Sequence, residues 1–205
     1  MAALRFQEII AVMPKALTTA EFNEISSACC NLFIQKLMDY GPAWRHMRLL
    51  SIVDQIFIKA KRIRRLEELG GKGLISDTPK DEYIGIVNYC VIALDKIYNR
   101  LREDETEIDE TWPEEWATES IAKNTFNKIV DHCREVLLRK NNDYNEAWRQ
   151  MEISSMTDEI LSRVERIKSI IIINDNRTLV SEGVESQLID TLNYSILALA
   201  RINSI

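Results

Sequence analysis

Asp158, Asp190 and Asn193 are the residues of this sequence whose types and spacing could do chemistry. At 100° per residue, Ser155, Asp158, Ser162, Glu165, Arg166 and Ser169 share one helix face, away from the apolar stripe. On the next helix Glu182, Ser186, Asp190, Asn193 and Leu197 lie within about one third of the circumference. Glu185 falls near the first turn of that helix, where a carboxylate also favours the helix dipole. Asp190 stands mid-helix beside Leu188, Ile189 and Leu192, where a lone carboxylate is costly unless paired or metal-bound. Antiparallel helices that bring Asp158, Asp190 and Asn193 together, with Glu182 or Glu185 at the edge, would offer the oxygen ligands that Mg²⁺ or Mn²⁺ prefers. Such an ion could hold a phosphate chain and activate water. The expected catalytic and metal set is therefore Asp158, Asp190, Glu182 and Glu185.

An Asp-Tyr-x-x-Ala-Trp-Arg element occurs twice, at Asp39 to Arg45 and at Asp143 to Arg149. Tyr40, Trp44, Tyr144 and Trp148 could stack on a base, and Arg45, Arg149 or Arg166 could bind phosphate. The competing reading is that the aromatics are core anchors at a helix corner, with Arg and Asp pairing across it. Lys59, Lys61, Arg62, Arg64 and Arg65 form a basic cluster whose second-copy counterpart is mixed in charge. It reads as a helix surface rather than a nucleic-acid footprint.

These elements sit in a repeat. Asp39 to Ile63 returns 104 residues later as Asp143 to Ile167, and 16 of the 42 positions from 22 to 63 are identical to their counterparts. With one residue inserted the match continues through Ser76, Asn88, Tyr89, Ala93 and Leu94 against Ser181, Asn193, Tyr194, Ala198 and Leu199. The period is too long for a solenoid and reads as a duplicated half-domain or domain. The first copy is the poorer one chemically. Asp54 and Asn88 remain and Asp77 parallels Glu182, but Gly85 stands at the position of Asp190 and Lys80 at that of Glu185.

Apolar residues recur at three and four, predicting helices over about 20–38, 44 or 48 to 69, 79–101, 118–140, 152–173 and 181–202. Tyr40-Gly41-Pro42 and Gly70-Gly71 interrupt the pattern, and Thr18 with Glu21 reads as a capping box. Ile170 to Ile173 is a β-branched run that could turn irregular, and residues 1–17 suggest a short amphipathic start. The expected fold is all-α, two tandem three-helix modules packed as a pseudo-twofold bundle. The boundaries are 1–102, an acidic linker at 103–117, and 118–205.

The net charge of -6 resides in that linker region. Nine acids and no Lys or Arg fall between 103 and 122, so the rest of the chain carries +3. No apolar run reaches the roughly 18 residues of a membrane span. Arg5 and Glu8 speak against a signal peptide. Cys29, Cys30, Cys90 and Cys133 lack CxxC spacing and read as buried, reduced thiols, which predicts a cytoplasmic protein.

The pattern Lys36, Asp39-Tyr40-Gly41, Ala43-Trp44-Arg45, Met47-Arg48, Ser51, Asp54 resembles the first nucleotide-modification-associated domain family of bacteria and phage. Val180-Ser181-Glu182-Gly183, Glu185, Asp190 and Asn193-Tyr194 carry the second half of that resemblance. More distantly, the arrangement is similar to the all-α nucleoside triphosphate pyrophosphohydrolases of the MazG and dimeric dUTPase type. Ser51-x-x-Asp54 and Ser155-x-x-Asp158 stand where that group carries E-x-x-E. The resemblance implies a nucleotide ligand and Mg²⁺-dependent cleavage between the α and β phosphates. Asp143, Tyr144, Trp148, Arg149, Arg166 and Asn193 would contact the nucleotide, and Asp39, Tyr40, Trp44, Arg45, Asp54, Arg62 and Asn88 are their first-module counterparts. The alternative is a binding or scaffold protein without turnover, and a homo-oligomer is left open.

Overall fold

Each apolar stripe becomes a helix in the computed structural model, which describes residues 19–71, 73, 76, 78–99, 116–144, 146–173 and 183–203. The helices are α1 (Thr19–Tyr40), α2 (Leu49–Glu68), α3 (Pro79–Asn99), α4 (Glu119–Tyr144), α5 (Ile153–Ile172) and α6 (Val184–Asn203). Short 3-10 turns at Ala43–His46 and Ala147–Gln150 join α1 to α2 and α4 to α5. Among the described residues there is no strand.

The boundaries follow from local chemistry. Gly70 and Gly71 hold φ of 62° and 82°, and the amide of Gly71 reaches back to the Leu66 carbonyl at 2.8 Å, which closes α2. Pro79 opens α3, and Asp81 accepts from both the amide and the hydroxyl of Thr78 at 2.7 Å. Two boundaries differ from expectation. Helix α4 runs four residues further, to Tyr144. The β-branched run stays helical to Ile172, because Ile167 and Ile170 are buried and tertiary packing outweighs their weak propensity. The expected start at 1–17, the acidic stretch up to 115 and the Ser181 cap lie outside the described residues.

Three pairs of helices are stacked as layers. Helices α3 and α6 form the middle pair, packed against α2 and α5 on one side and against α1 and α4 on the other. A helix covered on both sides must be apolar nearly all round. Thus Leu188, Leu192, Ile196 and Leu199 of α6 are buried, and so are Tyr83, Val87, Val91 and Leu94 of α3. The same burial encloses polar side chains: Glu82 and Asn88 on α3, and Gln187, Asp190, Thr191, Asn193 and Ser195 on α6. Among the described residues no helix is long and apolar enough to cross a membrane.

The pseudo-twofold axis runs through the α2–α5 contact and is marked by reciprocal ion pairs. Asp54 of α2 meets Lys168 of α5 at 2.9 Å, and Asp158 of α5 pairs with Arg64 of α2. Asp54 and Asp158 share one position of the repeat, and Arg64 and Lys168 share another, so each module contributes the same acid and a cation at the same place. This is the self-complementary contact of a twofold dimer, here within one chain. Lys168 also lies 4.4 Å over the ring of Phe57. Both acids are well exposed, so the pairs add little and serve register more than stability. A double-mutant cycle on Asp54→Ala and Lys168→Ala should return a coupling of about 0.2–1 kcal/mol in urea unfolding. Zero coupling would remove the pair from the account.

One side of the axis carries a buried relay. The Tyr83 hydroxyl donates to Thr157 at 2.7 Å, and Thr157 donates to Glu67 at 2.8 Å. The counterparts are Leu188, Val53 and Ile171, all apolar. Burial raises the Glu67 carboxyl above its usual range and Asp158 adds to the rise, against the Thr157 hydrogen bond and Arg64. The folded state therefore holds that proton more tightly than the unfolded chain. The contribution is complete below the unfolded value of about 4.3 and is lost as pH climbs through the raised folded value. Glu67→Gln keeps the acceptor for Thr157 and deletes the titration. Its urea midpoint relative to wild type should rise between about pH 4 and pH 7. A difference that stays flat or falls over that range would contradict the assignment.

Trp116 closes the molecule between modules. Its ring is 1% exposed, 5.1 Å from Phe33 and 5.6 Å from Trp44, the latter edge-on at 90°. Phe126 of α4 completes the cluster 5.4 Å from Phe33. The Trp116 indole donates to Asp95 at 3.0 Å, and Asp95 also accepts from Asn99. Composition assigns this residue to the linker, yet it is among the largest fully buried side chains.

Candidate functional site

The structure does not bring Asp158 to Asp190. The two residues are committed to different partners on different sides of α5. Asp158 faces α2 and its side chain is 63% exposed. Arg163, five residues on and so about 140° around the helix, faces α6 and reaches Asp190. The identity of Asp54 and Asp158 across the repeat is accounted for by the reciprocal pairs at the seam.

Asp190 is the centre of a different cluster. It is 8% exposed and lies between three helices. Lys140 of α4 contacts its Oδ1 at 2.6 Å, while Nε and Nη2 of Arg163 approach its Oδ2 at 3.4 Å. Arg163 also pairs with Glu159, one turn back on α5, and its guanidinium stacks 4.7 Å over the ring of Tyr194. Burial works against the charged guanidinium, but Glu159, Asp190 and Tyr194 outweigh it, so Arg163 is held more firmly charged than usual. Burial raises the Tyr194 hydroxyl, against Arg163. One turn from Asp190, Asn193 donates to the Cys133 carbonyl at 2.9 Å. Its Oδ1 is buried and accepts no hydrogen bond among the described residues.

Chemically the cluster is neutral: two cations and two carboxylates, each satisfied by the other. The Lys140 side chain is 47% exposed, so this edge of the cluster opens to solvent. Among the described residues no three His, Cys, Asp or Glu side chains are placed to hold a metal ion. Mg²⁺ does not require that many, since it is commonly held through one or two carboxylates together with substrate phosphates. Asp190, Glu159 and the unpartnered Oδ1 of Asn193 are oxygen donors of the chemical type such an ion takes. Thiol chemistry has no place here. All four cysteines are buried, and burial pushes Cys29 and Cys133 up to about 12.

The first module builds its counterpart differently. Its carboxylate is Glu82, one turn earlier on α3, 4% exposed and held by Lys59 at 3.0 Å and by Arg62. Gly85 occupies the position of Asp190, and the Lys59 stem lies across it: a Cβ there would stand 2.7 Å from Lys59 Cε. Asn88, the counterpart of Asn193, likewise has a buried Oδ1 with no partner among the described residues.

The remaining expected residues scatter. Trp148 is buried and Trp44 packs against Phe33, so both serve as core anchors at the helix corner. Arg149 stacks 4.2 Å over Trp148 and donates to Glu146 at 2.7 Å. The Nε of Arg45 donates to His46. Arg62 belongs to the Glu82 cluster. Glu185 hydrogen-bonds with Tyr98 across the module boundary. Asp39, Tyr40, Asp143 and Arg166 are exposed. Glu182 and the side chain of Tyr144 lie outside the described residues.

Lys140, Glu159, Arg163 and Tyr194 were not among the residues expected from sequence. Two signals pointed to them: the identities Lys36/Lys140 and Tyr89/Tyr194 across the repeat, and the i,i+4 spacing of Glu159 and Arg163.

A family model described as nucleotide modification associated domain 1 matches twice, over residues 36–97 and 140–202, more than half of the chain. The second match begins at Lys140 and contains every residue of the Asp190 cluster. No curated protein and no solved structure matches the chain.

Proposed function

The chain belongs to the nucleotide modification associated domain 1 family, in two tandem copies, and on that premise we propose that it binds a nucleotide at the Asp190 cluster of the second module. The observation that carries the reading is the convergence of Lys140 and Arg163, from two helices, on a carboxylate nine-tenths buried. A nucleotide with its divalent cation carries both signs of charge. Lys140 and the forked guanidinium of Arg163 would take the phosphates. Asp190 and Glu159, with Asn193 Oδ1, would hold Mg²⁺ or Mn²⁺. Each protein group exchanges one partner for another of the same sign, so no buried charge is stranded. The bound ion would neutralise phosphate charge and polarise water.

Calorimetric titration with a panel of nucleoside triphosphates, with Mg²⁺ and with chelator, tests the reading. Binding that requires the ion supports it. No binding to any member of the panel sinks it and leaves the cluster as a structural ion-pair network.

A second reading adds turnover, as a nucleoside triphosphate pyrophosphohydrolase. It is favoured by the unpartnered Asn193 oxygen one turn from Asp190, an acceptor suited to orient a water. In it Asp190 touches the metal, and Asp158 keeps its place at the seam. Pyrophosphate release above the buffer rate, lost in Asp190→Asn, distinguishes it from binding alone.

A further inference from the structure

We infer that the duplication has been divided: the second-module cluster exchanges partners for a ligand, the first-module cluster is a fixed strut, and the chain takes one nucleotide rather than two. This rests on the site proposed above. The two clusters occupy the same place in their modules but differ in three ways.

The first is the origin of the cations. Lys59 and Arg62 both come from α2, three residues apart, and clamp one carboxylate of α3. In the second module the cations come from α4 and α5, so the cluster spans three helices. The second is the position of the acid. Glu82 is the deeper of the two, and its cations close over it from one side. Asp190 is one turn further along, where Lys140 reaches it from the exposed edge. Lys36, the counterpart of Lys140, has no such partner to find, because position 85 is glycine. The third is space. The Lys59 stem occupies the volume that a side chain at 85 would need. Gly85 is therefore what lets Lys59 lie flat and lock the first cluster, and Asp190 is what keeps the second exchangeable.

The test uses the full chain and inorganic tripolyphosphate with Mg²⁺, so that no base is assumed. Lys59→Met and Arg163→Met are titrated beside wild type, with folding checked by circular dichroism. Gly85→Ala is a third variant, whose Cβ displaces the flexible end of Lys59. One site per chain is expected, with affinity changed less than about threefold by Lys59→Met and Gly85→Ala and weakened at least thirtyfold by Arg163→Met. Two sites per chain, or equal losses from Lys59→Met and Arg163→Met, would overturn the inference while leaving the second-module site standing. No binding by wild type would overturn the site and this inference together.

Discussion

Arg163→Met is expected to weaken Mg²⁺-nucleotide binding by about 100-fold, a change of about 2.7 kcal/mol. Arg163 is the one cation of the cluster that touches both carboxylates and lies against an aromatic ring. A guanidinium in that position presents paired donors to a phosphate, and methionine retains the apolar contact with Tyr194 while removing them. Lys140→Met should cost less, about tenfold, because its ammonium is half exposed and acts as a point charge. The fold should survive both changes, since Asp190 keeps one cation in either variant. Calorimetry on the purified variants gives the two losses directly. Binding unchanged in Arg163→Met would place the ligand elsewhere.

Trp116→Ala should lower unfolding stability by about 3–5 kcal/mol, read from urea denaturation. The ring is fully buried among Phe33, Trp44 and, through Phe33, Phe126, so its removal opens a cavity where the two modules meet. It also removes the indole donor from one carboxylate oxygen of Asp95. Trp116→Phe separates the contributions: it restores most of the packing and loses only the indole hydrogen bond, at about 1 kcal/mol. A loss below 1 kcal/mol in the alanine variant would mean that the cluster does not hold the modules together.

The repeat and the apolar stripes made the architecture legible. Leu49, Ile52, Ile56 and Ile63 recur as a core face of α2, and Met156, Ile160, Val164 and Ile167 as that of α5, and all are buried. Trp116 was not legible, because a single aromatic in an acidic stretch carries no periodicity. Asp190 could be read as an anomaly, a carboxylate on a helix apolar nearly all round, and it is indeed buried. Asp54 and Asp158 misled for a physical reason. Their partners, Arg64 and Lys168, lie on the other module's helix and meet them only through the pseudo-twofold packing. The corner tryptophans pose the same difficulty, because Asp-Tyr-x-x-Ala-Trp-Arg suits a base platform and a packed corner equally well. The burial of Trp148 and the packing of the half-buried Trp44 against Phe33 favour the corner.

Lys140 and Arg163 show the limit from the other direction. Each reads in sequence as an ordinary surface cation. Only the crossing of α4, α5 and α6 brings both to one carboxylate, and a sequence fixes such a crossing only through its whole core.

Hydrogen–deuterium exchange of the wild-type chain, with and without a nucleoside triphosphate and Mg²⁺, tests the central claim most directly. A ligand held by Lys140, Arg163 and Asp190 should slow exchange along 156–166 and 186–198 and leave 52–62 and 81–93 unchanged. Protection confined to the first module, or none at saturating ligand, would contradict it.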